Sequence, residues 1–176
     1  MSHLEEGLVQ VYTGNGKGKT SAAFGLALRA MGRGLKVCIV QFIKGGFDYG
    51  ELHVVDKLPN LRLEAFGRGE FILEKPPSRR DVELAEKALE FAEKAVREGE
   101  YDVVVLDEVN VALSLGLISL DRVLALVRSK PGNMELVLTG RDAPQELIEA
   151  ADLVTEMREV KHPFSKGRRA RRGIEY

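Results

Sequence analysis

Thr13-Gly14-Asn15-Gly16-Lys17-Gly18-Lys19-Thr20 gathers three glycines, two lysines and two threonine hydroxyls into one short stretch, the residue types that wrap a phosphate chain. Glycines let backbone N–H groups turn inward into a concave anion nest without Cβ clashes. Lys19 supplies a mobile point charge for the terminal phosphates, and Thr20 a hydroxyl for Mg²⁺. Gly14, Asn15, Gly16, Lys17, Gly18 and Ser21 complete the expected nucleotide-binding surface. The first glycine of the G-x-x-x-x-G-K-[ST] pattern is replaced by Thr13. A Gly-rich turn without a ligand is the plain alternative. The apolar run Leu8–Tyr12 before the loop and the helix-forming run Ser21–Met31 after it favour a nucleoside triphosphate, since a helix N-terminus adds free donors and a positive dipole end.

A second cluster follows Val103-Val104-Val105-Leu106, an apolar strand that ends in Asp107-Glu108. In phosphate-loop proteins such a strand usually lies beside the loop, so its acids serve Mg²⁺ directly or through water. Asp107 and Glu108 are assigned jointly, with a solvated acidic turn as the plain reading. Lys44 and Arg141 follow other strands and either reach a phosphate or stand as exposed loop cations. His162 stacks, hydrogen-bonds or packs, and a structural role is the default. His3 and His53 lack partners at metal-ligand spacing. Lys161, Lys166, Arg168, Arg169, Arg171 and Arg172 make a basic tail with too few interleaved aromatics for single-strand stacking.

The elements that must position these groups alternate. Strands are expected at Leu35–Ile43, Leu61–Phe66, Tyr101–Leu106, Leu136–Thr139 and Leu153–Val160. Helices are expected at Asp81–Glu98, stopped by Gly99, at Leu120–Arg128, capped by Ser119, and at Pro144–Ala151. Gly45–Gly50 and Gly67–Pro77 read as irregular. This order predicts an α/β, P-loop NTPase-like (RecA-like) fold, with a mostly parallel sheet and helices on both faces. The loops after the strands should then line one crevice, bringing together Thr20, Gln41–Lys44, Asp107–Glu108 and Thr139–Asp142.

With 176 residues and no linker or repeat, one domain, 1–176, is expected, closed by the basic tail at about 161–176. A net charge of -1 argues against general nucleic-acid binding. The single cysteine, Cys38, sits in an apolar run and reads as a packed thiol; it excludes an internal disulfide. The N-terminus lacks signal-peptide features and no apolar stretch reaches membrane-spanning length, so a cytoplasmic protein without a membrane partner is expected.

Thr13–Thr20 with Ala22-Ala23-Phe24-Gly25, Val40–Gly45 with Gly50-Glu51, Val104–Glu108, Thr139-Gly140-Arg141, Ala151-Asp152, Val160–Phe164 and Gly173–Tyr176 together resemble the ATP:corrinoid adenosyltransferases of the phosphate-loop type, which act in vitamin B12 synthesis and salvage. The resemblance spans nearly the whole chain. It implies that a cobalt(I) corrinoid attacks the 5′ carbon of ATP and triphosphate leaves. ATP then runs along the loop in the reverse of the usual direction. It also implies an electron-donating reductase or flavoprotein and a homodimer. Where the family often carries a Gly-Phe-Thr-Trp-like segment against the corrinoid, this chain reads Phe66-Gly67-Arg68-Gly69-Glu70-Phe71, and Phe66 and Phe71 are the candidates for that place. The tail is then expected to close over substrate.

Two other classes use the same loop. A nucleoside-type kinase needs an acceptor base, for which Glu108 is the candidate. A nucleotide-dependent nucleic-acid-binding ATPase rests on the basic tail alone and predicts salt-sensitive oligonucleotide binding.

Overall fold

A computed structural model describes residues 4–46, 48–69, 76–163 and 167–175. Strands β1 (Val9–Thr13), β2 (Val37–Gln41), β3 (Leu61–Ala65), β4 (Val103–Asp107), β5 (Glu135–Thr139) and β6 (Leu153–Glu156) form one sheet in the order β3-β2-β4-β5-β1-β6. Every pairing is parallel. β2 and β4 are buried at all their positions, which explains their continuous apolar sequences.

Alternation along each strand divides the core into two layers. Val37 and Ile39 face one layer with Val103, Val105 and Val137. That layer is covered by α1 (Lys19–Met31), whose buried Ala23, Ala27 and Ala30 let it lie close to the sheet. Cys38 and Val40 face the other with Val104, Leu106, Leu136 and Leu138. There α2 (Arg79–Glu98), α3 (Val109–Ser114), α4 (Leu120–Ser129) and α5 (Gln145–Ala150) contribute residues such as Leu89, Ala112, Val123 and Leu147. The fold is therefore α/β and P-loop NTPase-like, with helices on both faces. Burial pushes the Cys38 thiol up to about 12, in keeping with a packed core cysteine. Among the described residues, no helix is long and apolar enough to cross a membrane.

Several local expectations are corrected. α2 starts at Arg79, because Ser78 caps it: the Asp81 N–H donates to Ser78 Oγ, and the Ser78 N–H donates back to Asp81 Oδ2 at 2.8 Å. Ser119 stands at the start of α4 but makes no side-chain cap. β6 stops at Glu156, short of Val160, and its side chains are all exposed at the sheet edge. α3 was not expected. Its Val-Asn-Val-Ala-Leu-Ser sequence is short, and it carries two β-branched residues directly after a strand.

Arg68 ties the chain beyond β3 to the start of α2. Its Nε and second terminal nitrogen donate to the two Asp81 oxygens at 2.7 and 3.0 Å. Asp81 is almost fully buried; burial raises its pKa, but the bonds from Arg68 and Ser78 outweigh that and hold it below the ordinary carboxylate value. Asp81→Ala is expected to cost about 2–4 kcal/mol at pH 7, through the lost cap and the lost ion pair with Arg68. The depressed folded pKa means this contribution is complete above the unfolded value of about 3.9 and disappears as pH falls through the folded one. Denaturant unfolding of both proteins from pH 7 to pH 2 should show the difference shrinking only below about pH 4.

Candidate nucleotide site

β1 delivers the chain into the phosphate loop at Thr13, and α1 takes it out at Lys19. Gly18 precedes α1 with φ 123°, offers no side-chain cap, and no acid occupies the first turn. The first N–H groups of α1 thus remain available to an anion. Lys19 lies folded onto its own loop, donating to the carbonyls of Gly14 at 2.6 Å and Gly16 at 2.8 Å. Burial lowers its pKa, partly offset by Glu108.

The loop glycines have a second role that the motif does not announce. Past β6 the chain runs under the loop: the Met157 N–H donates to Thr13 O at 2.8 Å, and the Gly16 N–H donates to Met157 O at 2.6 Å. A Cβ on Gly16 would lie 2.7 Å from Met157 O and 2.8 Å from Arg158 C. Glycine is required there by backbone approach as much as by phosphate. The Gly16 N–H points into the protein, so it is not one of the inward-turned donors expected of the nest.

Asp107 is the centre of the site. It is fully buried, and its carboxylate accepts four hydrogen bonds. Oδ1 takes Thr20 Oγ1 at 2.9 Å and Thr139 Oγ1 at 2.7 Å. Oδ2 takes Gln41 Nε2 at 3.2 Å and Lys44 Nζ at 2.7 Å. Burial raises its pKa, but the Lys44 charge and these bonds outweigh it and hold the group ionised. Glu108 differs. Burial and the neighbouring Asp107 charge raise its pKa, and its side chain faces an open cavity. β4 does not adjoin β1, because β5 lies between them. The opening turn of α1 carries Thr20 across that gap to Asp107.

The cavity measures about 670 Å³, within the range of about 300–1,000 Å³ that small-molecule sites occupy. The loop from Asn15 to Ser21 forms one wall, and Lys44, Glu108, Arg141 and His162 face it. The expected crevice is thus present: residues after β1, β2, β4 and β5 converge. The tail also arrives. Lys17 Nζ donates to Ile174 O at 3.1 Å and pairs with Glu175 at 3.0 Å. Bonds from Arg171 and Lys17 hold the Glu175 carboxyl at about 2. Tyr49, which the sequence did not single out, and Glu51, quoted there only for the family resemblance, line the same cavity. They follow a glycine-rich loop and sit at no recognisable spacing.

One of the two expected corrinoid contacts is placed away from the cavity. Phe66 packs against the core and the Phe91 ring, with centroids 6.1 Å apart, and is not among the cavity-lining residues. Phe71 lies outside the described residues. His53 is exposed and pairs with Asp48.

Thr20, Asp107 and Glu108 are hard oxygen donors of the kind Mg²⁺ takes. Among the described residues no group of three or more His, Cys, Asp or Glu side chains could hold a metal.

A profile of the ATP:corrinoid adenosyltransferase BtuR/CobO/CobP family matches residues 5–176. The chain is 44% identical over 173 residues to a corrinoid adenosyltransferase of Pseudomonas aeruginosa, covering 98% of this chain and 85% of the relative. It is 42% identical to one from a Sinorhizobium species (98% and 81% covered). It is 35% identical to one from Escherichia coli K12 (98% and 87%). The chain belongs to this family.

Gly16→Ala tests the packing of the loop on Met157. It is expected to lower ATP affinity by roughly tenfold or more and to cost about 1–3 kcal/mol of stability, because a methyl group is forced against backbone. Gly25→Ala, in α1 with open space around it, should leave ATP affinity unchanged and stabilise by about 0.5–1 kcal/mol. Calorimetric ATP titration and denaturant unfolding of both variants check the pair.

Proposed function

We propose that this chain transfers the 5′-deoxyadenosyl group of ATP to the cobalt(I) of a corrinoid, releasing triphosphate, for adenosylcobalamin synthesis or salvage. The observation that carries this reading is convergence. The family match covers 5–176, and its far-apart segments meet on one cavity: the phosphate loop, Lys44 after β2, Arg141 after β5, and the tail. One unit, 1–176, serves as the nucleotide-binding body, and the basic tail at about 161–176 closes it.

In the reaction the cobalt electron pair forms the bond to C5′, and the C5′–O pair leaves with the triphosphate oxygen. No proton is removed from the acceptor, so no protein base or nucleophile is needed. Charge grows on the leaving triphosphate, and the chain's task is to stabilise it. Lys19 would exchange the carbonyls of Gly14 and Gly16 for phosphate oxygens. Lys17 and Arg141 supply further positive charge along the cavity, while Asn15, Gly18, Thr20 and Ser21 present the loop and first-turn donors. Mg²⁺ would be held through Thr20, with Asp107 and Glu108 behind it, and would neutralise triphosphate charge. The remaining requirement is positional, since C5′ must face the corrinoid. His162 lines the cavity and is assigned to substrate contact. Of the two aromatic candidates for corrinoid contact, Phe71 is retained, while Phe66 packs on Phe91 away from the cavity. A reductase or flavoprotein supplies the electron for cobalt(I), and a homodimer in the cytoplasm is the expected form.

The test is an anaerobic reaction with Mg-ATP and chemically reduced cobalamin. Adenosylcobalamin and triphosphate are expected in equal amounts; ADP or phosphate with unchanged corrinoid would overturn the reading in favour of a kinase or ATPase. Lys19→Ala should lower turnover by roughly 100-fold or more through lost stabilisation of the leaving group. Turnover at the wild-type rate would remove Lys19 from the mechanism.

A further inference from the structure

The cation already present in the site is a side chain. Lys44 Nζ lies 2.9 Å from Thr20 Oγ1, 2.7 Å from Asp107 Oδ2 and 3.9 Å from Glu108 Oε1. These are the oxygens assigned above to the metal. The Lys44 side chain is only 12% exposed, and the Tyr49 ring covers its ammonium at 5.5 Å. Its placement is built by the backbone. Ile43 has φ 56°, a left-handed conformation that a β-branched residue rarely adopts, and it turns the chain after β2 back toward Asp107. The following turn is anchored, because the Gly45 N–H donates to Phe66 O at 2.9 Å. A compact ammonium with three donors suits this position; a planar guanidinium does not.

We propose that Lys44 is a tethered cation that holds the metal position, so that a divalent ion enters only together with the nucleotide. The inference rests on the assignment of Thr20, Asp107 and Glu108 to the metal, and not on the transfer reaction. Two cations cannot share these oxygens, since like charges that close together repel strongly in a partly buried site. Metal entry therefore requires the ammonium to leave. A triphosphate in the adjoining cavity gives it a new partner within the sweep of its four-carbon stem. Without nucleotide it has no such partner, and the buried Asp107 carboxylate retains it.

The experiment is binding of Mn²⁺, by electron paramagnetic resonance, to the full chain without nucleotide and then with ATP. Wild type is expected to show no saturable site below roughly 1 mM without nucleotide and one site with ATP. Lys44→Met should bind Mn²⁺ without nucleotide at least ~10-fold more tightly than wild type, because the oxygens are released. Lys17→Met removes an equal charge from the same cavity at the Glu175 contact, and should change Mn²⁺ affinity by no more than about threefold. A nucleotide-independent site in wild type below roughly 1 mM would overturn the proposal, as would equal Mn²⁺ affinities in the two variants. Should Lys44→Met be too unstable to titrate, Mg²⁺ must raise its unfolding temperature while leaving wild type unmoved; no such rise overturns it equally. Adenosyl transfer is assayed separately, so a failed metal test leaves the reaction intact, and a failed reaction leaves the metal test readable.

Discussion

A fully buried carboxylate, that of Asp107, is the constraint on which the other features depend. An uncompensated charge in such a place costs several kcal/mol, and compensation demands hydrogen bonds of good geometry. Here the four donors come from four places: Thr20 in the opening turn of α1, Gln41 at the end of β2, Lys44 in the loop beyond it and Thr139 at the end of β5. Gln41 and Asp107 are paired in the parallel register of β2 and β4. A slip of one residue would turn every side chain of the strand to the other face and break both the core and the site. The hydrophobic layers and the polar centre thus specify the same arrangement.

The phosphate loop is fastened on both sides. Below it, Met157 binds Thr13 and Gly16 through backbone alone. Above it, Ile174 and Glu175 engage Lys17. Lys19 bonds two of the loop's own carbonyls. These are neutral acceptors, and a triphosphate offers charged ones, whose hydrogen bonds are roughly twice as strong. Anion binding to this loop is therefore an exchange of internal for external partners and needs little folding of backbone. The loop that must stabilise a growing charge is in place before the charge arrives, which is what electrostatic preorganisation requires.

Much of this was legible in the sequence, and the exceptions share a cause. The strands, α1, α2 and the convergence of Thr20, Lys44, Asp107, Glu108 and Arg141 follow from periodicity and from parallel topology. Ser78-Arg79-Arg80-Asp81 also carries a capping pattern, which sets the true start of α2. What could not be read depends on approach between distant segments. Met157 has no signature, since its hydrogen bonds to the loop are made by its backbone. Arg68 stands where the family often has an aromatic segment, and its partner, Asp81, is visible only once the chain has folded. Asp107 and Glu108 are neighbours with opposite pKa shifts, because Lys44 and the hydrogen bonds to Asp107 outweigh its burial, whereas burial and the Asp107 charge both raise Glu108.

Backbone strain shows how the site is held. Among the described residues, the non-glycine residues with positive φ, Ile43, Glu108 and Asp142, all stand just past the ends of β2, β4 and β5. Each such conformation costs of order 1–3 kcal/mol, and persists only where the surroundings over-determine it. Here the surroundings are the three strands that fill the middle of the sheet, almost wholly buried. Each strained residue reverses the chain at the rim of the crevice: Ile43 aims Lys44, Glu108 starts α3, and Asp142 follows Arg141. A glycine at any of the three would relieve the strain, but it would also free the chain to point its neighbours elsewhere. The rigid core is therefore what keeps the cations at the cavity wall, and the precision of the site is drawn from the stability of the sheet beneath it.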